Sequence, residues 1–193
     1  MSKVEPAGMN PISNRTLDLR RLRGGIPALT AAVGSAMTEA CMICFEEQSH
    51  KSGVELIVRG SFEEIFTVTW PGRVTDNMRR FWRDEDEATE YAAYGIALLL
   101  IEELTGYTAF ERANKGLGFD FWLGYDHYPV TRFDPSVQHR ARLEVSGIRR
   151  GSKQQVATRV KQKKTQTDVS NGEYPAFIVV VEFGAPVAEV VKK

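Results

Sequence analysis

The chain has 193 residues, 42% of them hydrophobic and 26% charged, with 25 Lys plus Arg balanced by 25 Asp plus Glu. Such a composition suits one globular core and excludes a uniformly basic nucleic-acid coat, though not a local basic face. The longest apolar run, residues 95–101, falls well short of the roughly 20 residues that cross a bilayer, and the polar start does not read as a signal peptide, so a cytoplasmic protein without membrane contact is expected.

Residues 1–25 mix Pro, Gly, Ser, Asn and Arg with little periodicity and read as a flexible arm ahead of a single domain over residues 26–193. From Ile26 to about Gln48 small and apolar residues recur at helical spacing, which predicts a first helix. Cys41 and Cys44 form a CxxC late in that helix. A redox pair would open a helix, a tetrahedral zinc needs four ligands, and His50, His127 and His139 stand at no companion spacing. The two thiols therefore read as small core-facing residues.

Alternation at Val54, Leu56 and Val58, and again at Phe66, Val68 and Trp70, predicts a β-hairpin. A short helix is expected over residues 75–83 and a longer one over 84–104, its first turn carrying Asp84, Glu85, Asp86 and Glu87 at the positive end of the helix dipole. Strands follow at 107–113 and 119–125 around a glycine turn, then a loop rich in Pro and Asp at 126–138 and a third strand at 139–148. Ser152 and Gln155 make a capping box for a helix reaching about Gln166. Residues 176–183 read as a strand buried on both faces, followed by a polar tail. Helix, strand, strand, strand, helix, strand is an α/β (α+β) order: a mixed sheet flanked by helices over 84–183, preceded by a helix and hairpin extension over 26–83.

Strand parity places Arg140, Arg142, Glu144 and Ser146 on one face of the third strand. Asp120 follows the turn Gly116-Leu117-Gly118 and stands between Phe119 and Phe121, where an unpaired carboxylate would be costly. Carboxylates on adjacent strands can hold a divalent cation that activates water and stabilises a phosphoryl transition state. The plainer reading has Asp120 capping the turn and Glu144 pairing with an arginine.

These residues resemble a known superfamily, the PD-(D/E)XK nuclease-like fold, and within it the small branch similar to Holliday-junction resolvases. The likeness rests on Glu90-Tyr91-Ala92-Ala93 at the helix, Gly106-Tyr107 through Arg112-Ala113-Asn114, Gly118-Phe119-Asp120, and Leu143-Glu144-Val145-Ser146, about half the chain. It implies Asp120 and Glu144 as ligands of Mg²⁺ or Mn²⁺, with Glu90 as an added catalytic carboxylate. It also implies DNA phosphodiester hydrolysis in DNA processing or in defence against foreign DNA. Where the family's lysine would stand two residues after the glutamate, this chain has Ser146. A lysine could come instead from the next helix, at Lys153 or Lys161; otherwise the chain is an inactive binding subunit that acts through DNA or protein contacts.

Residues 140–164 hold nine cationic side chains against Glu144 alone, a net +8. Arg140, Arg142, Arg149, Arg150 and Lys161 are therefore expected to meet a phosphate backbone. The alternative is a solvated face, or a site for the acidic segment of a protein partner or a second copy. Gln154, Gln155, Gln162 and Gln166 are surface candidates on the same helix.

Overall fold

The computed structural model describes residues 15–125, 139–168 and 174–193. In chain order the elements are β1 (Arg15–Asp18), α1 (Arg21–Gly24), α2 (Ala31–Glu47), β2 (Val54–Gly60), β3 (Glu64–Thr69), α3 (Asp76–Phe81), α4 (Glu85–Thr105), β4 (Thr108–Arg112), β5 (Phe121–Gly124), β6 (Ala141–Ile148), α5 (Lys153–Asp168), β7 (Ala176–Glu182) and β8 (Val187–Lys192). The fold is α+β. All eight strands join one mixed sheet in the order β1-β3-β2-β8-β7-β6-β5-β4. β4, β5 and β6 form an antiparallel meander, and β6 then pairs in parallel with β7 through the α5 crossover.

Parity along the strands divides the core. Phe121, Leu123, Leu143, Val145, Phe177 and Val179 point to the face covered by α2 and α4, where nearly all the buried apolar side chains collect. Ile178 and Val180 point to the other face, against only Val156 and Val160 of α5. α4 earns its central place by being apolar on most of its surface: Ala88, Ala92, Ala93, Ile96, Leu99 and Leu100 are fully buried. Its N-cap Asp84 accepts from the backbone N–H groups of Asp86 and Glu87, both at 3.0 Å, and Gly106 ends it in the left-handed region at φ 72°. Gly147 lets α4 lie directly on β6, since a Cβ there would stand 2.6 Å from the carbonyl oxygen of Thr89.

Two sequence expectations change. The arm reading fails for residues 15–25: β1 pairs with β3, and Leu17, Leu19 and Leu22 are fully buried. Four short residues give no period to read. The polar tail is also a strand, because β8 alternates Ala188 and Val190 inward between β7 and β2. The expected loop at 126–138 lies outside the described residues. Among the described residues no helix is long and apolar enough to cross a membrane.

Candidate functional site

The site arises from a mismatch in strand length. β5 stops pairing with β6 at Phe121 and Leu143, whereas β6 continues to Ile148. Asp120 finishes the ladder with both main chain and side chain. Its N–H donates to the Leu143 carbonyl at 2.8 Å, and its Oδ2 accepts from the Val145 N–H at 2.8 Å. The register sets Asp120 opposite Glu144, where the charge of Asp120 bears on the Glu144 carboxyl. The turn that delivers Asp120 is fixed by Gly118 at φ 80°, where a Cβ would stand 2.5 Å from the Gln166 carbonyl oxygen at the end of α5.

Past that point the exposed edge of β6 floors a trench between α4 and α5. Two cavities, of about 570 and 480 Å³, meet over the acidic pair, and both are lined by Glu90, Tyr94, Asp120, Glu144 and Gln166. Arg112 and Lys115 border the first, and Arg149, Arg159 and Lys163 the second.

Glu144 is only 1% exposed. Lys163 donates from Nζ to its Oε1 at 2.5 Å. Burial, and then the charge of Asp120, still push the Glu144 carboxyl up to about 7 against the pull of Lys163. Burial raises Asp120 as well, against the hydrogen bonds from Val145 and Tyr94. The Tyr94 hydroxyl lies 2.8 Å from Glu90 Oε1 and 3.0 Å from Asp120 Oδ1. One hydroxyl proton serves one acceptor at a time, so Tyr94 can donate to Glu90 or to Asp120 but not to both at once. Tyr94 itself is raised, chiefly by burial.

Ser146, at the place of the resembled family's lysine, accepts from Arg159 Nη1 at 2.8 Å. Positive charge thus reaches the trench from α5, one helical turn apart, through Arg159 and Lys163. Neither was among the expected site residues, yet a signal existed. Val156, Val160 and Thr167 are the buried residues of α5, and Lys163 falls on that same stripe, which aims it at the sheet.

The other expectations divide. Lys153 borders a separate cavity of about 270 Å³ with Ile57, Val156 and Val187, away from the acidic pair, because it opens α5 at the opposite end. Lys161 is exposed and borders none of the described cavities. Arg142 is buried rather than displayed: its guanidinium donates to the Tyr174 carbonyl at 2.9 and 3.2 Å, lies over the Phe119 ring, and burial lowers its pKa. It ties β6 to the segment before β7. Arg149 borders the trench while bonded to Cys44 Sγ and Glu47, and Arg150 reaches Gln48. Arg140 borders none of the cavities. Cys41 and Cys44 are both buried, with burial holding the Cys44 thiol up at about 12.

Asp120 and Glu144 suit Mg²⁺ or Mn²⁺ by donor chemistry. Mg²⁺ prefers hard oxygens and is commonly held through one or two carboxylates, with water and phosphate oxygens completing its octahedron. Among the described residues no group of three or more His, Cys, Asp and Glu is arranged to hold a metal ion, and three of the pair's four oxygens are already engaged by Tyr94, Val145 and Lys163. No family model matches the chain, and searches of curated proteins and of solved structures return no match.

Proposed function

We propose that the chain is a nucleic-acid phosphodiesterase of the PD-(D/E)XK-like kind, acting on DNA with Mg²⁺ or Mn²⁺. The observation that carries this reading is the Asp120–Glu144 pair across β5 and β6, with Lys163 at 2.5 Å from Glu144 in a trench bordered by further cations. Asp120 and Glu144 would hold the cation, which supplies water activation and charge stabilisation at phosphorus. Lys163 takes the part of the lysine absent at Ser146: its ammonium reaches the space over the pair, where it can hold a phosphate oxygen or the attacking water. Arg159 and Arg149 draw the flanking phosphate toward the β6 edge. Tyr94 orients the Asp120 carboxyl and couples it to Glu90.

Ser146 and the engagement of Lys163 with Glu144 favour a second reading, an inactive binding subunit of the same fold. One experiment separates the two. End-labelled linear and branched DNA, supercoiled plasmid and end-labelled RNA are incubated with the protein and Mn²⁺, or with EDTA, and both cleavage products and gel retardation are read. Metal-dependent products that fall at least 100-fold in Asp120→Asn and in Lys163→Met support the enzyme. Salt-sensitive binding without cleavage supports the binding subunit. Absence of both cleavage and binding on DNA and RNA refutes the nucleic-acid reading altogether.

A further inference from the structure

The trench does not end at Arg159. A third cavity, of about 430 Å³, shares Ile148 and Arg159 with the second and is bordered by Ser152, Gln155, Thr158 and Gln162. The three cavities therefore follow one another along a single face of α5, from Gln166 at the Gly118 turn to Ser152 at the N-cap. That distance is about 21 Å at the helical rise per residue. The acidic pair is off centre, with one cavity on the Lys115 side and two on the Ser152 side.

The lining changes along this path. Near the acidic pair it carries both signs, Lys163, Arg159 and Arg149 standing against Asp86, Glu90, Asp120 and Glu144. Among the described residues lining the third cavity Arg159 is the one charged residue, no carboxylate opposes it, and the rest of the wall offers the exposed Gln162, Gln155 and Thr158 as donors and acceptors. Amides and hydroxyls can bond sugar, phosphate or base edges without a net charge. The depth also restricts what enters. Glu144 is 1% exposed beneath Lys163, so a phosphate that meets it must descend between α4 and α5, and a phosphate in an intact duplex is held at the outer surface of a wide cylinder.

We infer that the occupant of this groove is an unpaired nucleic-acid strand laid along α5. Its reacting phosphate stands over Asp120 and Glu144, and its longer arm runs past Arg159 to Gln162 and Gln155. At the stacked rise of 3.4 Å per nucleotide the groove has room for about six nucleotides, and for about half that number in a stretched strand. The inference rests on the nucleic-acid reading and adds the form of the substrate and its asymmetry.

The test is binding by fluorescence anisotropy at low salt, with Ca²⁺ in place of Mg²⁺ or Mn²⁺ and, in parallel, with EDTA. Labelled oligothymidylates of 2 to 20 nucleotides and a blunt 20-base-pair duplex are titrated with the wild type and with a Thr158→Glu/Gln162→Glu double variant whose melting curve matches. Both substituted positions are exposed on α5, so the fold should tolerate them. The expected result has three parts. Single strands bind at least 10-fold tighter than the duplex, affinity climbs with length and flattens near six nucleotides, and the double variant weakens the decamer at least 10-fold while leaving the trimer within twofold. Equal or tighter duplex binding, or an unchanged decamer affinity in the variant, overturns the inference and leaves the phosphodiesterase reading standing. No binding by any strand or duplex overturns both.

Discussion

The two faces of the sheet are built on different principles. On the α2 and α4 face the wall is held by a continuous apolar core, and Gly147 brings helix backbone against strand. On the α5 face four buried aliphatic side chains, flanked by the half-buried Ile148 and Val191, do that work, and polar contacts of Lys163 with Glu144 and Arg159 with Ser146 stand beside them. One helix is anchored by burial and supplies carboxylates on its rim. The other is lightly anchored and supplies the cations. Polar groups stay available at a site only where apolar packing has not consumed the surface around them, and the weakly packed wall is accordingly the one that lines the whole groove.

Matched truncations sharpen this contrast. Leu99 is fully buried in the α4 core, so Leu99→Ala should cost about 2–5 kcal/mol, lowering the melting temperature by roughly 2–4 °C per kcal/mol for a chain of this size. A loss under about 1 kcal/mol would mean that the α4 face is not the main anchor.

The pH dependence probes the polar face. Glu144 is raised to about 7 in the folded chain, above its ordinary value of 4.5. A carboxyl raised by folding weighs nothing below its unfolded value. It then destabilises increasingly as pH climbs from about 4.5 through 7 and stays constant above that. In EDTA the melting temperature of Glu144→Gln relative to wild type should therefore rise between pH 5 and pH 7.5. A gap that is flat or narrows with pH would contradict the raised carboxyl.

Gly147→Ala is the third comparison. Its Cβ would press on Thr89 of α4, so a loss of about 1–3 kcal/mol in urea unfolding is expected from overpacking. Val160→Ala, on the α5 face at 7% exposure, should cost about 1–2 kcal/mol, less than Leu99→Ala. Smallest is Ser146→Ala, which removes one acceptor from Arg159 and should cost no more than about 1 kcal/mol. A ranking with Val160→Ala above Leu99→Ala would reverse the assignment of anchor and working face.

Much of the fold was legible because its periods are long. The helix over residues 85–105 and the strands over 141–148 and 176–182 carry enough repeats for parity and burial to be read from sequence. β1 and β8 were not legible, one for having four residues and the other for an alternation hidden among Glu and Lys. At the site, strand parity and the spacing of the Gly118-Phe119-Asp120 and Glu144-Val145-Ser146 segments put Asp120 and Glu144 on adjacent strands, while the register that sets them opposite each other came only from the structure. Which lysine meets Glu144 depends instead on how far α5 has run before it crosses β6. That distance selects Lys163 and sends Lys153 to the other end of the helix. Arg142 was misread for a related reason: parity gives its face but not the Tyr174 carbonyl that covers it.

β8 has a consequence for how the molecule assembles. It lies between β2 and β7, later in the sequence than both, and Lys192 donates its backbone N–H to Ser61 across 131 positions. Among the described residues no ladder other than those of residues 187–192 joins the two strand sets β1-β3-β2 and β7-β6-β5-β4, so without them each set would present an unpaired edge. Joining them needs a long loop closure that is entropically slow. β8 is therefore the keystone of the sheet: its two ladders are what turn separate sets of strands into one.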